Sequence, residues 1–253
     1  MIKDIFNGIQ AYFSAYTLLN KLNLWRFFVI PIGISFLLGM FIIFSAYGLS
    51  DDLGNYIASI WGFTWGKQTV TTISHFIGGL IILALGIVIF KHVLMAIVGP
   101  FMSPISEKIE IYFFGTVHKK TTGFKAQTSA LARGIRVNIR NLIMEILWII
   151  PFFIFSFIPL IGIVFLFLIF FIQAYYAGFG NMDYTLERYF SYKKSVGFVR
   201  NHRGIAIGNG IVFMLILLIP IVGILIVLPL SVVASTITTL KALHPERARE
   251  IHV

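Results

Sequence analysis

The chain has no cysteine among its 253 residues, which excludes a disulfide framework and thiolate chemistry. Charge is scarce as well. Only 12% of residues are Asp, Glu, Lys or Arg, against about a quarter in a soluble domain. With 58% hydrophobic residues and a mean hydropathy of +0.91, that scarcity excludes an ordinary water-soluble fold. Catalytic signatures are missing too. Six histidines (75, 92, 118, 202, 244 and 252) show no metal-ligand spacing, and neither Gly-x-Ser-x-Gly nor a phosphate-binding loop occurs. An enzyme is therefore the less expected class, and the sequence calls for neither a metal nor a cofactor. The first 20 residues lack a continuous apolar run followed by a small-residue cleavage site, so no cleavable signal peptide is expected.

What the chain has in abundance is apolar sequence, gathered into blocks long enough for a bilayer. One membrane domain over 1–253 is the expectation, with no length left for a soluble catalytic domain. The net charge of +10 does not imply nucleic acid, because the 20 Lys and Arg residues lie between the apolar blocks. The positive-inside rule puts such residues on the cytoplasmic face, against anionic lipid headgroups.

Residues 1–24 begin with an amphipathic helix. Ile2, Ile5, Phe6, Ile9, Tyr12, Phe13, Tyr16 and Leu19 recur at helical steps and suit either the membrane interface or packing on the protein. A first span is placed at 25–49, where residues 27–47 carry no charge over 21 positions and Pro31 falls near the start. A polar loop follows at 50–72, with Trp61 and Trp65 as interfacial anchors. The second span is placed at 73–98 and ends at Gly99-Pro100; Lys91 and His92 lie in its last third, where a lysine snorkels to the headgroups. Residues 99–141 form a basic segment in which Arg133, Arg136 and Arg140 share one helical face. The turn signal Thr121-Thr122-Gly123 divides it. A second basic segment occupies 180–204 and a tail 241–253.

Between these lie two apolar blocks, 142–179 and 205–240, each too long for one crossing. Both are cut by the same pattern, Ile158-Pro159-Leu160-Ile161-Gly162 and Ile219-Pro220-Ile221-Val222-Gly223. Pro159 with Gly162, and Pro220 with Gly223, read as the tips of two helical hairpins. The arms 142–158, 163–179, 205–219 and 224–240 reach about 23 to 26 Å at ~1.5 Å per residue. That is short of a comfortable crossing, so partly penetrating, re-entrant hairpins are favoured over four short crossings. Either topology puts both termini inside, because loop 50–72 carries one Lys against two Asp while the basic segments lie on the other side.

Charge near the bilayer marks the functional candidates. Glu145 stands four residues into its block, one turn beyond the arginine face, where Arg140 is a natural partner. Arg26, beside Trp25, reads either as a snorkelling anchor or as an anion ligand, since a guanidinium suits two-oxygen recognition. Half-helix N-termini at Gly162 and Gly223 offer unpaired N–H groups, although the tips themselves are wholly apolar. Gly204 and Gly208 form a small-xxx-small match that marks close helix packing.

Taken together, these pieces resemble the CysZ family of bacterial sulfate transporters, related to the etoposide-induced membrane proteins. The resemblance rests on Leu24-Trp25-Arg26-Phe27 with Pro31, on Gly99-Pro100-Phe101 with Ser106-Glu107-Lys108, and on Ile158-Pro159 with Gly162. It continues through Asp183-Tyr184, the basic stretch from Lys193 to Arg203, Ile219-Pro220, Leu228-Pro229 and Ala234-Ser235-Thr236. It implies an all-α membrane fold of two long spanning helices and two partly penetrating hairpins, together with sulfate uptake for sulfur assimilation across the bacterial cytoplasmic (inner) membrane. A Gly-Leu-Arg-like turn before the first span binds sulfate in that family. Here the matching residues are Asn23-Leu24-Trp25-Arg26, so Arg26 carries over, flanked by Trp25 and Leu24. Asn23 stands at the glycine position, Phe27 where a second basic residue commonly follows, and Thr185 where a proline is usual.

On this reading the protein is a sulfate or oxyanion permease. Arg26 binds the anion, Arg133, Arg136 and Arg140 supply positive potential, and Glu107 and Glu145 hold the arginines in place. Self-association into a homo-oligomer is expected, to cover the hairpin flanks. The alternative of another class is a non-transporting membrane scaffold in which the same amphipathic helix and hairpins shape the bilayer.

Overall fold

The computed structural model describes residues 1–60, 66–118, 123–219 and 222–251. They are helical throughout, with no strand among them. Helix α1 spans Ile2–Lys21 and is followed by a 3-10 turn, Leu24–Phe28. Then come α2 (Val29–Ser59), α3 (Lys67–Phe114), α4 (Phe124–Phe155) and α5 (Gly162–Tyr189). The chain closes with α6 (Tyr192–Asn201), α7 (Arg203–Leu217), α8 (Val222–Leu243) and a 3-10 stretch, Pro245–Glu250. Five of these segments are long and apolar enough to cross a membrane: the turn with α2, then α3, α4, α5, and Ile226–Leu243 of α8. The chain is a multi-pass membrane protein.

Helix α1 resolves both uses of its sequence pattern. Its small and branched face (Gly8, Ala11, Ala15, Leu18, Leu19) is buried against α7 and α8, while Ile2, Phe6, Phe13 and Tyr16 stay exposed. The close approach needs glycine. A Cβ on Gly8 would stand 2.8 Å from the Asn209 backbone nitrogen, and one on Gly208 would run into the Ile5 carbonyl. Tyr12 donates its hydroxyl to the Asn209 carbonyl oxygen at 2.7 Å, and burial pushes its phenol well above the usual range.

Several boundaries differ from those read in the sequence. The loop expected at 50–72 is much shorter, because α2 continues to Ser59 and α3 starts at Lys67. Trp61 and Trp65 lie outside the described residues. More telling is α3, which does not stop at Gly99-Pro100 but runs 48 residues with Pro100 and Pro104 inside it. A proline within a helix costs about 3 kcal/mol through its lost hydrogen bond and ring clash. Here Met102, between the prolines, and Ile105 and Ile109, beyond them, are fully buried and offset that cost at roughly 1.5–3 kcal/mol for each apolar side chain.

The basic segment at 99–141 and hairpin 1 at 142–179 are likewise not separate units. Helix α4 carries the arginine face and the first apolar arm without interruption, and α5 extends past residue 179 to Tyr189. Residues 180–186, expected in the second basic segment, are all buried, because this end of α5 packs on α3 and α8: Tyr184 donates to the Met95 carbonyl at 2.7 Å and Ser235 donates to the Asn181 carbonyl at 3.0 Å.

The first corner takes the expected form. The chain turns over residues 156–161, with Leu160 at φ +68 and 95% exposed, and α5 starts at Gly162. At the second corner α7 ends at Leu217 and Gly223 is buried in the first turn of α8. Pro220 lies outside the described residues.

Candidate functional site

The 3-10 turn joins α1 to α2 and is fixed from beneath. Leu24 and Phe28 are fully buried, and the Trp25 Nε1–H donates to Asn20 Oδ1 at 2.7 Å. Asn23 holds the left-handed conformation, φ 47 and ψ 48, which asparagine tolerates better than most residues after glycine. Asn23 thus holds the left-handed backbone that a glycine at this position would also adopt without strain.

Arg26 is exposed on this turn and forms no ion pair among the described residues. Its guanidinium lies 5.8 Å from the centroid of the Phe27 ring. The same ring is met from α3 by Lys108, whose Nζ is 4.3 Å from the centroid. Phe27 replaces a basic neighbour in sequence, yet a second cation reaches the turn through space. Lys21, at the end of α1, lies over the Tyr112 ring at 5.1 Å. The turn thus gathers cations from α1, α3 and the turn itself.

The arginine row of α4 behaves differently. All three side chains point toward α5 and α6, as their spacing requires. Arg133 is saturated: its Nε and Nη2 donate to the two Asp183 carboxylate oxygens at 2.9 and 2.8 Å. Its Nη1 and Nη2 also reach the Phe190 carbonyl and Ser195 Oγ, both at 2.6 Å. Arg136 lies over the Tyr192 ring at 4.5 Å. Arg140 donates to Asn141 Oδ1 at 3.0 Å and lies over Phe179 at 5.4 Å.

Glu145 does not pair with Arg140. Its carboxylate accepts from Lys91 Nζ at 2.7 Å and from His92 Nε2 at 2.9 Å, and all three side chains are at most 2% exposed. Lys91 therefore does not snorkel to the headgroups. The contact of α3 with α4 seals it inside, and a carboxylate one helix away takes up its charge more cheaply than a longer reach to water. Glu107 is buried at 7% exposure within α3.

A second buried network was not legible in the sequence. Arg188 donates to Glu110 (Nε to Oε2, 2.9 Å) and to Ser106 Oγ (2.9 Å). Tyr189 donates its hydroxyl to Glu110 Oε1 at 2.7 Å, and Ser106, Thr185 and Thr236 bond one another at 2.8 to 3.1 Å. The network ties α3, α5 and α8 together. Ser106, Thr185 and Thr236 stand far apart in the sequence, and only the fold brings them into contact. At the tips, Pro159 and Gly162 sit at an apolar corner with no charged residue in it. Among the described residues, no cluster of His, Asp and Glu is arranged to hold a metal ion.

The profile of one family, described as sulfate transporter CysZ/etoposide-induced protein 2.4, matches residues 11–227. The match takes in the 3-10 turn, the whole of α2 to α7 and the start of α8. No curated protein matches the chain.

Proposed function

Because the chain belongs to the sulfate transporter CysZ/etoposide-induced protein 2.4 family, we propose that it is a permease moving sulfate or a related oxyanion inward across the bacterial cytoplasmic membrane. Arg26 is its primary ligand. The observation that carries this is the exposed guanidinium of Arg26, free of any ion pair among the described residues, on a turn anchored by two fully buried side chains. A planar donor fork held on a rigid turn loses little entropy on grasping two anion oxygens. Leu24 and Trp25 shape the turn, and Arg136 and Arg140 add positive potential on the same side of the membrane.

Both termini and the basic segments lie in the cytoplasm on this reading, supported by the excess of Lys and Arg there. The corner at 156–161, and the break between α7 and α8, turn back within the bilayer as re-entrant hairpins on this reading. Their uncharged residues and the short α7, 15 residues or about 22 Å, support this. Exposed apolar faces on α2 and α4 are covered by lipid and by a second copy of the chain.

Binding of radiolabelled sulfate to the purified protein tests the ligand. Arg26→Ala removes a charged donor worth about 1.5–3 kcal/mol, so affinity falls at least about ten-fold. Equal binding by mutant and parent removes Arg26 from the site.

A further inference from the structure

The Lys91, His92 and Glu145 cluster is built like an anion site that is already filled. Neighbouring residues of α3 turn an ammonium and an imidazole N–H onto the two oxygens of one carboxylate, at 2.7 and 2.9 Å. A carboxylate is itself a small two-oxygen anion, but this one is tethered to α4. The ammonium has little else: the Gln173 carbonyl at 3.5 Å and the Met214 sulfur at 4.0 Å. A buried ion pair is not kept for stability alone, since apolar side chains of the same volume usually serve as well. Ionisable side chains sealed among spanning helices mark function by default.

A second observation connects the cluster to the surface. Asn141 lies one turn before Glu145 on the same face of α4 and is fully buried, yet its Nδ2 has no hydrogen-bond partner among the described residues. Its Oδ1 accepts from Arg140 at 3.0 Å. Arg140, Asn141 and Glu145 follow one another along α4, and Glu145 meets His92 and Lys91, so the arginine row leads through Asn141 to the cluster. Asn138, another turn toward the surface, places its Oδ1 3.5 Å from His92 Nδ1. From α5 the Gln173 carbonyl meets the ammonium, and α7 presents the uncharged Met214.

We propose that Lys91 and His92, with the Asn141 amide, form a buried oxyanion site that the Glu145 carboxylate occupies as a tethered gate. A tetrahedral oxyanion passing inward takes the two donors only when Glu145 releases them. The site is shut in this structure by a group that imitates its cargo. This rests on the oxyanion reading above, and adds to it a second station distinct from the Arg26 turn.

The test uses the full chain on an Arg26→Ala background, so that the turn is silent. Radiolabelled sulfate binding is measured for Arg26→Ala alone, with Glu145→Gln added, and with Lys91→Met and Glu145→Gln added together. Saturable binding returns with Glu145→Gln, which frees the donors, and is lost again when Lys91→Met removes the ammonium. Sulfate raises the thermal midpoint of the Glu145→Gln protein above that in chloride at matched ionic strength, because it replaces the missing counter-charge; the protein lacking both charges shows no such rise. If Lys91→Met with Glu145→Gln does not fold, Lys91→Gln with Glu145→Gln serves the same comparison. No gain of binding with Glu145→Gln overturns the proposal, as does a gain that survives loss of the ammonium. Failure of the Glu145→Gln protein to fold in sulfate also overturns it. An Arg26→Ala parent that binds like wild type counts against the turn alone, and the contrast between the other variants still decides this site.

Discussion

Arg26 and Arg133 are the same residue type in the same basic chain, and their surroundings give them opposite work. Arg133 spends its donors on Asp183, Ser195 and the Phe190 carbonyl, joining α4 to α5 and α6. Arg133→Met leaves Asp183, itself 5% exposed, without its counter-charge, a loss of about 3–5 kcal/mol for a buried pair broken on one side. Thermal unfolding in detergent is expected to show a marked fall for Arg133→Met and little change for Arg136→Met, whose partner is a single ring. Equal midpoints would mean that Arg133 is not structural. Arg133, Arg136 and Arg140 could be placed on one face from their spacing alone. Which of them is consumed by a carboxylate could not, because Asp183 lies 50 residues away in sequence. Likewise Glu145 was recognisable as an intramembrane charge, but its neighbour along the helix, Arg140, was a poorer guide than Lys91 on α3. Pairing across helices is decided by packing, which a single sequence does not display.

At the scale of elements, the periodic and apolar signals located the long apolar helices and α1, but not the short α6 or the two 3-10 stretches, and proline and glycine misplaced some ends. Gly99-Pro100 reads as a stop and is not one, because buried apolar residues beyond it hold α3 together. Pro159 reads as a stop and is one, and the residues of that corner are exposed rather than buried, so nothing rewards continuing the helix. The dipeptide supplies the cost of continuing; burial decides whether it is met. The corner also offers the test of hairpin depth. Leu160, 95% exposed, accepts a cysteine without the clash that Gly162 would suffer against the Ser156 carbonyl. In intact cells an impermeant maleimide is expected to leave Leu160→Cys unlabelled, as a re-entrant corner requires. Labelling from outside would convert the hairpin into two crossings.

At the scale of the whole molecule, the buried network of Ser106, Glu110, Thr185, Arg188 and Thr236 ties α3, α5 and α8 together at one end of the bundle. The apolar faces of α2 and α4 remain exposed, and on the proposed reading lipid and a second copy cover them. On the proposed reading an anion moving inward passes the buried Lys91–His92 station before it meets Arg26 at the inner face, which requires net movement across a sealed bilayer. The most direct measurement is radiolabelled sulfate uptake into liposomes containing the purified chain. The account predicts time-dependent uptake above protein-free liposomes and its loss with Arg26→Ala. Uptake by wild type no faster than by empty liposomes, from protein that is folded and inserted, would contradict it.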